Sequence, residues 1–360
     1  MGSGPSRRRC GWTATAVRTD VTMTKGMGME RYIAIDNVCA WPNLTVLADG
    51  TLTTTIYNRP VHGRWHGDVE VWASNDDGSL WERRGVAAAG EPPGNRMNVA
   101  AGAAANGDLL VIASGWTPVL EAGTEDPDFG FRTRQVLDAR VCRSADGGRT
   151  WNHADTVDLP SPTDLWFIPF GNITRGPNGL AVPFYSASPD GKRNTSWILR
   201  SSDDGCSWGD GSMIVADDFN ETDILHLGDG RWLAACRTVQ DAHVQLFASD
   251  DDGRSWQDRG PLTLPGQHPP HLLGLADGRI LLSYGLRNDG LFGLGVRLSD
   301  DDGASWSAPR VLVQFEGATD GGYPSSTECE DGTIVTAYYA NKVVAHSRYH
   351  MGVVRWQTTE

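Results

Sequence analysis

One eight-residue pattern, S-x-D-x-G-x-x-W, occurs five times, at Ser74–Trp81, Ser144–Trp151, Ser201–Trp208, Ser249–Trp256 and Ser299–Trp306. It reads as a hairpin turn. The aspartate accepts bonds from turn amides, the glycine permits positive φ, and the tryptophan pins the turn to the body. A second repeat interleaves with it: a short apolar strand, an Asp-Gly or Asn-Gly turn, and another strand. Its turns fall at Asp49-Gly50, Asn106-Gly107, Asn178-Gly179, Asp229-Gly230, Asp277-Gly278 and Asp331-Gly332. An S-x-D-x-G-x-x-W turn follows each of the first five. Each unit therefore holds four antiparallel strands, and six such units predict an all-β, six-bladed β-propeller. No sustained helical periodicity competes.

The wide gap between Asn106 and Asn178 marks an insertion in blade 2, placed at residues 118–135. The sixth unit ends without its fourth strand. The segment Glu30–Asp36 precedes blade 1 and is expected to supply it, which closes the ring and removes an exposed sheet edge. Residues 1–28 are rich in Gly, Ser, Thr and Arg and are expected to be a poorly ordered tail. Residues 29–360 then form a single propeller domain. The basic start has no apolar run behind it, so the expected location is cytoplasmic.

A net charge of −14 argues against nucleic acid or an anionic membrane as partner. No apolar run approaches transmembrane length. The six cysteines are scattered without a C-x-x-C pair, which favours buried free thiols. Neither a cofactor nor a metal is expected. The histidines form no convincing metal set, and the five turn aspartates are read as structural.

In a blade whose strands run alternately up and down, starts of first strands and ends of second strands share one face. That face collects Arg59, His62, Arg64, His66 and Asp68 from blade 1, and Arg96 from blade 2. It also receives Glu221 and Arg237 from blade 4, His268, His271 and Arg287 from blade 5, and Tyr323 from blade 6. Arginines facing carboxylates and a tyrosine suit an anionic small ligand, because guanidinium forks grip carboxylates bidentately. The bland alternatives are a structural Glu221–Arg237 ion pair, a packed Tyr323 and a solvated Arg287.

At these residues the chain resembles the sialidase (neuraminidase) superfamily over about residues 30–360. Five Asp boxes and six blades carry part of the likeness. Asn220-Glu221, Asp229-Gly230 and Arg237 are similar to one family segment, and Gly322-Tyr323-Pro324-Ser325 to the segment with the nucleophilic tyrosine. The resemblance implies an exo-acting glycoside hydrolase that cleaves a terminal acidic sugar from a glycan. Tyr323 would be the nucleophile, Glu221 its base, and Arg237 and Arg287 the carboxylate grip. A neutral phenol avoids the repulsion that a carboxylate nucleophile meets at a sugar bearing its own carboxylate, and the family departs from the two-carboxylate scheme. This chain differs where the family has R-I-P: it has Ala40-Trp41-Pro42. Arg59 or Arg96 is the expected replacement. Asp68, or His62 or His66 in its stead, is the expected proton donor. Two other readings stay open: a hydrolase or lyase of the same fold acting on uronic-acid or other glycans, and a non-catalytic carbohydrate-binding propeller.

Overall fold

A computed structural model describes residues 13–24, 28–63, 66–118, 134–154, 157–158, 165–188, 193–317, 320–344 and 346–358. Most of the expected blade 2 insertion, and Arg64, lie outside these. Among the described residues there is no helix, and the strands form six sheets.

Blade 1 is Cys39–Val46, Leu52–Tyr57, Val69–Ser74 and Glu82–Ala88. Blade 4 is Phe219–Gly228, Arg231–Thr238, Val244–Ser249 and Gln257–Pro261, and blade 5 runs from Gln267 to Gln314 in the same manner. Blade 2 adds Gly171–Asn172 in parallel beside its innermost strand, Asn98–Ala103. The innermost strand of blade 3 is split into Trp166–Pro169 and Thr174–Gly176, both paired with Gly179–Ala187. Blade 6 joins Gly322–Glu328, Ile334–Ala340 and His350–Trp356 to Met29–Asp36 from the N-terminal side. The ring closes as expected. Beyond it, Thr15–Thr24 pairs with Met29–Asp36. A fifth strand thus stands in the stretch expected to be poorly ordered, and its run of Thr and Val suits an extended edge.

The Asp boxes are local hydrogen-bond cages. In the fourth, Ser249 Oγ donates to Asp251 Oδ1 at 2.8 Å, and Gly253 N donates back to Ser249 Oγ at 2.9 Å. Asp251 also accepts from Ser255 N at 2.8 Å and Ser255 Oγ at 2.6 Å, while Trp256 Nε1 donates to Gly253 O at 3.1 Å. Gly253 has φ 73°, and a Cβ there would meet Arg200 Nη2 at 2.9 Å, so the position needs glycine.

The apolar core is divided between blades. Leu44, Ile56 and Trp72 of blade 1 pack on Val335 and Val353 of blade 6, and comparable clusters fill the other seams. A separate aromatic cluster unites Trp41, Phe170, Tyr185, Tyr323 and Tyr339 from blades 1, 3 and 6. The chemistry described below sits on this cluster. Five cysteines among the described residues are free thiols; four are buried and Cys206 is exposed.

Candidate functional site

Four first strands start with a register break. Pairing slips between Cys39 and Asn43 in blade 1, Phe219 and Thr222 in blade 4, Gln267 and Pro270 in blade 5, and Gly322 and Ser325 in blade 6. An extra residue in one strand bends it and re-aims a side chain. The residues within these four breaks include Trp41, Glu221, His268 and Tyr323. Tyr323 itself has φ 52°, a left-handed conformation that costs a non-glycine residue about 1–2 kcal/mol. In this conformation its ring lies among residues of other blades.

Tyr323 Oη donates to Glu221 Oε1 at 2.6 Å. Arg237 Nη1 bonds the other carboxylate oxygen of Glu221 and reaches Tyr323 Oη at 3.3 Å. The Arg287 guanidinium lies 5.3 Å from the centre of the Tyr323 ring, within cation–π range, and its Nη2 donates to Gly321 O at 2.9 Å. Trp41, Phe170 and Tyr339 surround the same ring with centroids at 5.4, 6.0 and 5.6 Å. Glu221, Arg237, Arg287 and Tyr323 therefore converge as expected.

Burial pushes the Tyr323 phenol well above its ordinary value, and the Glu221 charge adds to this against the two arginines. The resting tyrosine is a phenol whose proton points at a carboxylate. Burial works against the charge on Arg237, but Glu221 outweighs it and holds the guanidinium more firmly protonated than usual. Burial, with help from Arg237 and Arg287, pushes His268 down to about 2, so its imidazole is neutral. Trp41 Nε1, Arg237 Nε, Arg287 Nε and His268 Nδ1 are buried without hydrogen-bond partners among the described residues. Polar groups left unmade in this way cost stability unless a ligand satisfies them.

The other expected residues are committed elsewhere. Arg96 forks onto Glu91, with Nε and Nη2 each at 3.1 Å from a carboxylate oxygen, and donates to Ala113 O and Asp138 O. Arg59 Nε donates to His66 O at 2.9 Å. Neither is among the groups bonded to Tyr323 or Glu221. Asp68 accepts from Asn58 Nδ2 at 3.1 Å and from Gly90 N at 2.9 Å, so both its oxygens tie loops together. His66 Nε2 lies 3.0 Å from Gly90 O. His271 sits deeper, near Asp223, with Asn172 Nδ2 at 3.0 Å from its Nε2.

Sequence reasoning passed over Asp320, three residues before Tyr323. Its Oδ1 accepts from Tyr339 Oη at 3.0 Å, and its Oδ2 from Tyr349 Oη at 2.8 Å. His62 Nδ1 lies 2.9 Å from Oδ2, and Arg287 Nη2 is 3.8 Å from Oδ1. Burial works against the charge on Asp320, but His62, Tyr349 and Arg287 together hold it well below the usual carboxylate range. The signal was present as a lone acid in the run Asp320-Gly-Gly-Tyr323. Among the described residues no group of three or more His, Cys, Asp or Glu is placed to hold a metal ion.

Six blades, five of them carrying an Asp box, surround a buried tyrosine, a glutamate and two arginines, which makes the chain an Asp-box β-propeller. The chain belongs to the BNR repeat-like domain family, whose sequence profile matches residues 63–336. No curated protein matches it. Among solved structures, a protein of unknown function from Dyadobacter fermentans superposes with TM-score 0.74 at 22% identity, covering 96% of this chain and 99% of that one. The Hadza microbial sialidase Hz136 gives 0.69 at 19% identity, over 89% of this chain and 65% of the sialidase. A Trypanosoma rangeli sialidase, in complex with 2,3-difluorosialic acid as a covalent intermediate, gives 0.67 at 16% identity, over 95% and 58%. The chain thus spans less than two thirds of these two sialidases. At such identities the likeness is one of fold.

Proposed function

We propose that the chain is a retaining, exo-acting glycoside hydrolase of the sialidase type that releases a terminal acidic sugar from a glycan. The observation that carries the proposal is the 2.6 Å bond from Tyr323 Oη to Glu221 Oε1, inside the reach of Arg237. A general base must lie within hydrogen-bond distance of the proton it takes. Tyr323 attacks the anomeric carbon as Glu221 accepts its proton, and the glycosidic bond breaks. Water then releases the sugar, and Glu221 returns the proton to the phenolate. Arg237 and Arg287 supply the fixed positive charge that holds an anionic group of the sugar. The unpartnered nitrogens around them suit a ligand rich in oxygen acceptors.

A second reading keeps the fold and the tyrosine but changes the sugar to a uronic acid or another glycan. It is favoured by the tie of Arg96 to Glu91 and by Trp41 packed on Tyr323. Among the described residues both observations leave two arginines, Arg237 and Arg287, at the site. A screen of chromogenic glycosides and acidic polysaccharides against wild type and Tyr323→Phe tests both readings. Release of sialic acid that requires Tyr323 supports the first, and Tyr323-dependent activity confined to another glycan supports the second. Binding without turnover on every substrate points instead to a carbohydrate-binding propeller.

A further inference from the structure

Beside the tyrosine lies a second constellation that the Tyr323–Glu221 chemistry does not use. His62 comes from the loop after the second strand of blade 1, and Asp320 from the segment leading into blade 6. Their side chains meet at 2.9 Å, Nδ1 to Oδ2. An ionised carboxylate only accepts, so Nδ1 carries the hydrogen, and in the imidazolium Nε2 carries the second proton. Two tyrosine hydroxyls also donate to this carboxylate, Tyr339 to Oδ1 and Tyr349 to Oδ2. His62 also packs edge-on against Trp41 at 5.6 Å and Tyr339 at 6.3 Å, the same two rings that flank Tyr323. The imidazole and the phenol therefore share one aromatic wall. His62 remains 31% exposed, which leaves it access to solvent protons.

Asp320 faces His62 Nδ1. Arg287 lies behind Asp320 at 3.8 Å from Oδ1, and the Tyr339 and Tyr349 hydroxyls bond the same carboxylate. The Cys39 thiol lies close enough to Tyr339 and Tyr349 to act on both electrostatically, and burial pushes it well above its ordinary value, so it adds no charge. Asp68, the acid of the loop that carries His62, is bonded to Asn58 and Gly90.

Resting on the glycosidase reading above, we infer that His62 is the proton donor to the departing glycosidic oxygen and that Asp320 is the positioning residue that holds its Nδ1 hydrogen and orients Nε2. In the first step Tyr323 Oη bonds to the anomeric carbon and Glu221 takes the phenol proton. The carbon–oxygen bond to the leaving alcohol breaks, and that oxygen receives the His62 Nε2 proton. In the second step neutral His62 takes a proton from water as the water oxygen attacks the anomeric carbon. The bond to Tyr323 breaks, and its phenolate recovers the proton from Glu221. The enzyme returns to its starting state, and the sum is hydrolysis.

The test compares wild type, His62→Ala and Asp320→Asn, each as the full chain, on two glycosides of one sugar. One has a nitrophenol leaving group and the other an alkyl alcohol. Removal of a general acid costs about 10²–10⁴-fold where the leaving group needs a proton. His62→Ala is therefore expected to lose about that much kcat on the alkyl glycoside and less than about tenfold on the nitrophenyl one. Added azide is expected to accelerate the variant on the nitrophenyl substrate and yield a glycosyl azide. Asp320→Asn is expected to lose more kcat on the alkyl glycoside than on the nitrophenyl one, with folding followed by thermal denaturation. Equal losses on both glycosides in His62→Ala, or in folded Asp320→Asn, overturn the inference while Tyr323-dependent turnover leaves the glycosidase reading standing. Wild type inert on every glycoside overturns both.

Discussion

Tyr323 Oη and Glu221 Oε1 stand 2.6 Å apart although 102 residues separate them in the chain. The contact spans the ring from blade 4 to blade 6, and a register break at the start of each innermost strand makes it possible. Because burial and Glu221 both keep the phenol protonated, nucleophilicity must arise during the reaction, by transfer to Glu221. Glu221→Gln keeps the size of the side chain and an acceptor oxygen but removes the base. It is expected to lower kcat by about 10²–10⁴-fold in a chain that still folds, with some loss of melting temperature because Arg237 keeps an acceptor but loses its counter-charge. Steady-state kinetics and a melting curve on the same preparation check this.

Arg237→Ala acts differently. The arginine touches both Glu221 and Tyr323, and a clamp on a carboxylate serves ground state and transition state alike. KM is expected to rise as kcat falls. Glu221 is also left buried without its cation. A fully buried broken pair costs about 3–5 kcal/mol, and the partial exposure of Arg237 makes the cost smaller. Arg237→Lys is expected to recover the stability better than the KM, because one ammonium does not replace a fork. Kinetics and denaturant unfolding separate the two effects.

Asp68 is expected to matter for stability and not for proton donation. Its oxygens hold Asn58 Nδ2 and Gly90 N. Asp68→Ala removes both bonds and is expected to cost about 1–3 kcal/mol, with equal effects on good and poor leaving groups. A leaving-group-dependent loss at Asp68 contradicts that assignment.

Acid stability follows from the Asp boxes. Hydrogen bonds from turn hydroxyls and amides hold Asp203 and Asp251 at about 2, and lower Asp146 and Asp301 as well. Folded values lie below the unfolded value of about 3.9. Their contribution is therefore fully present above about pH 4 and lost as pH falls towards about 2. Asp251→Asn is expected to decline less steeply in melting temperature than wild type between pH 4 and 2.5. Parallel declines contradict this origin.

The ring was legible because its signals are local. An Asp box is complete within eight residues, and an Asp-Gly hairpin within about ten, so repetition alone counts the blades. Glu221, Arg237, Arg287 and Tyr323 were legible because they flank innermost and second strands, whose ends the topology brings to one face. The register breaks were not legible, since a bulge depends on the partner strand. Nor were the fates of Arg96 and Asp68, which Glu91, Asn58 and Gly90 capture through the paths of particular loops. Asp320 was missed because its partners, His62, Tyr339 and Tyr349, come from three other places in the chain.

The central claim is that the Tyr323 hydroxyl is the nucleophile, and the most direct measurement is kcat of Tyr323→Phe on a glycoside that wild type hydrolyses. The substitution removes one oxygen from a buried ring and leaves its contacts with Trp41, Phe170 and Tyr339 in place. The predicted result is a loss on the order of 10³-fold or more, with the fold and ligand binding retained. A variant that keeps near wild-type kcat contradicts the account.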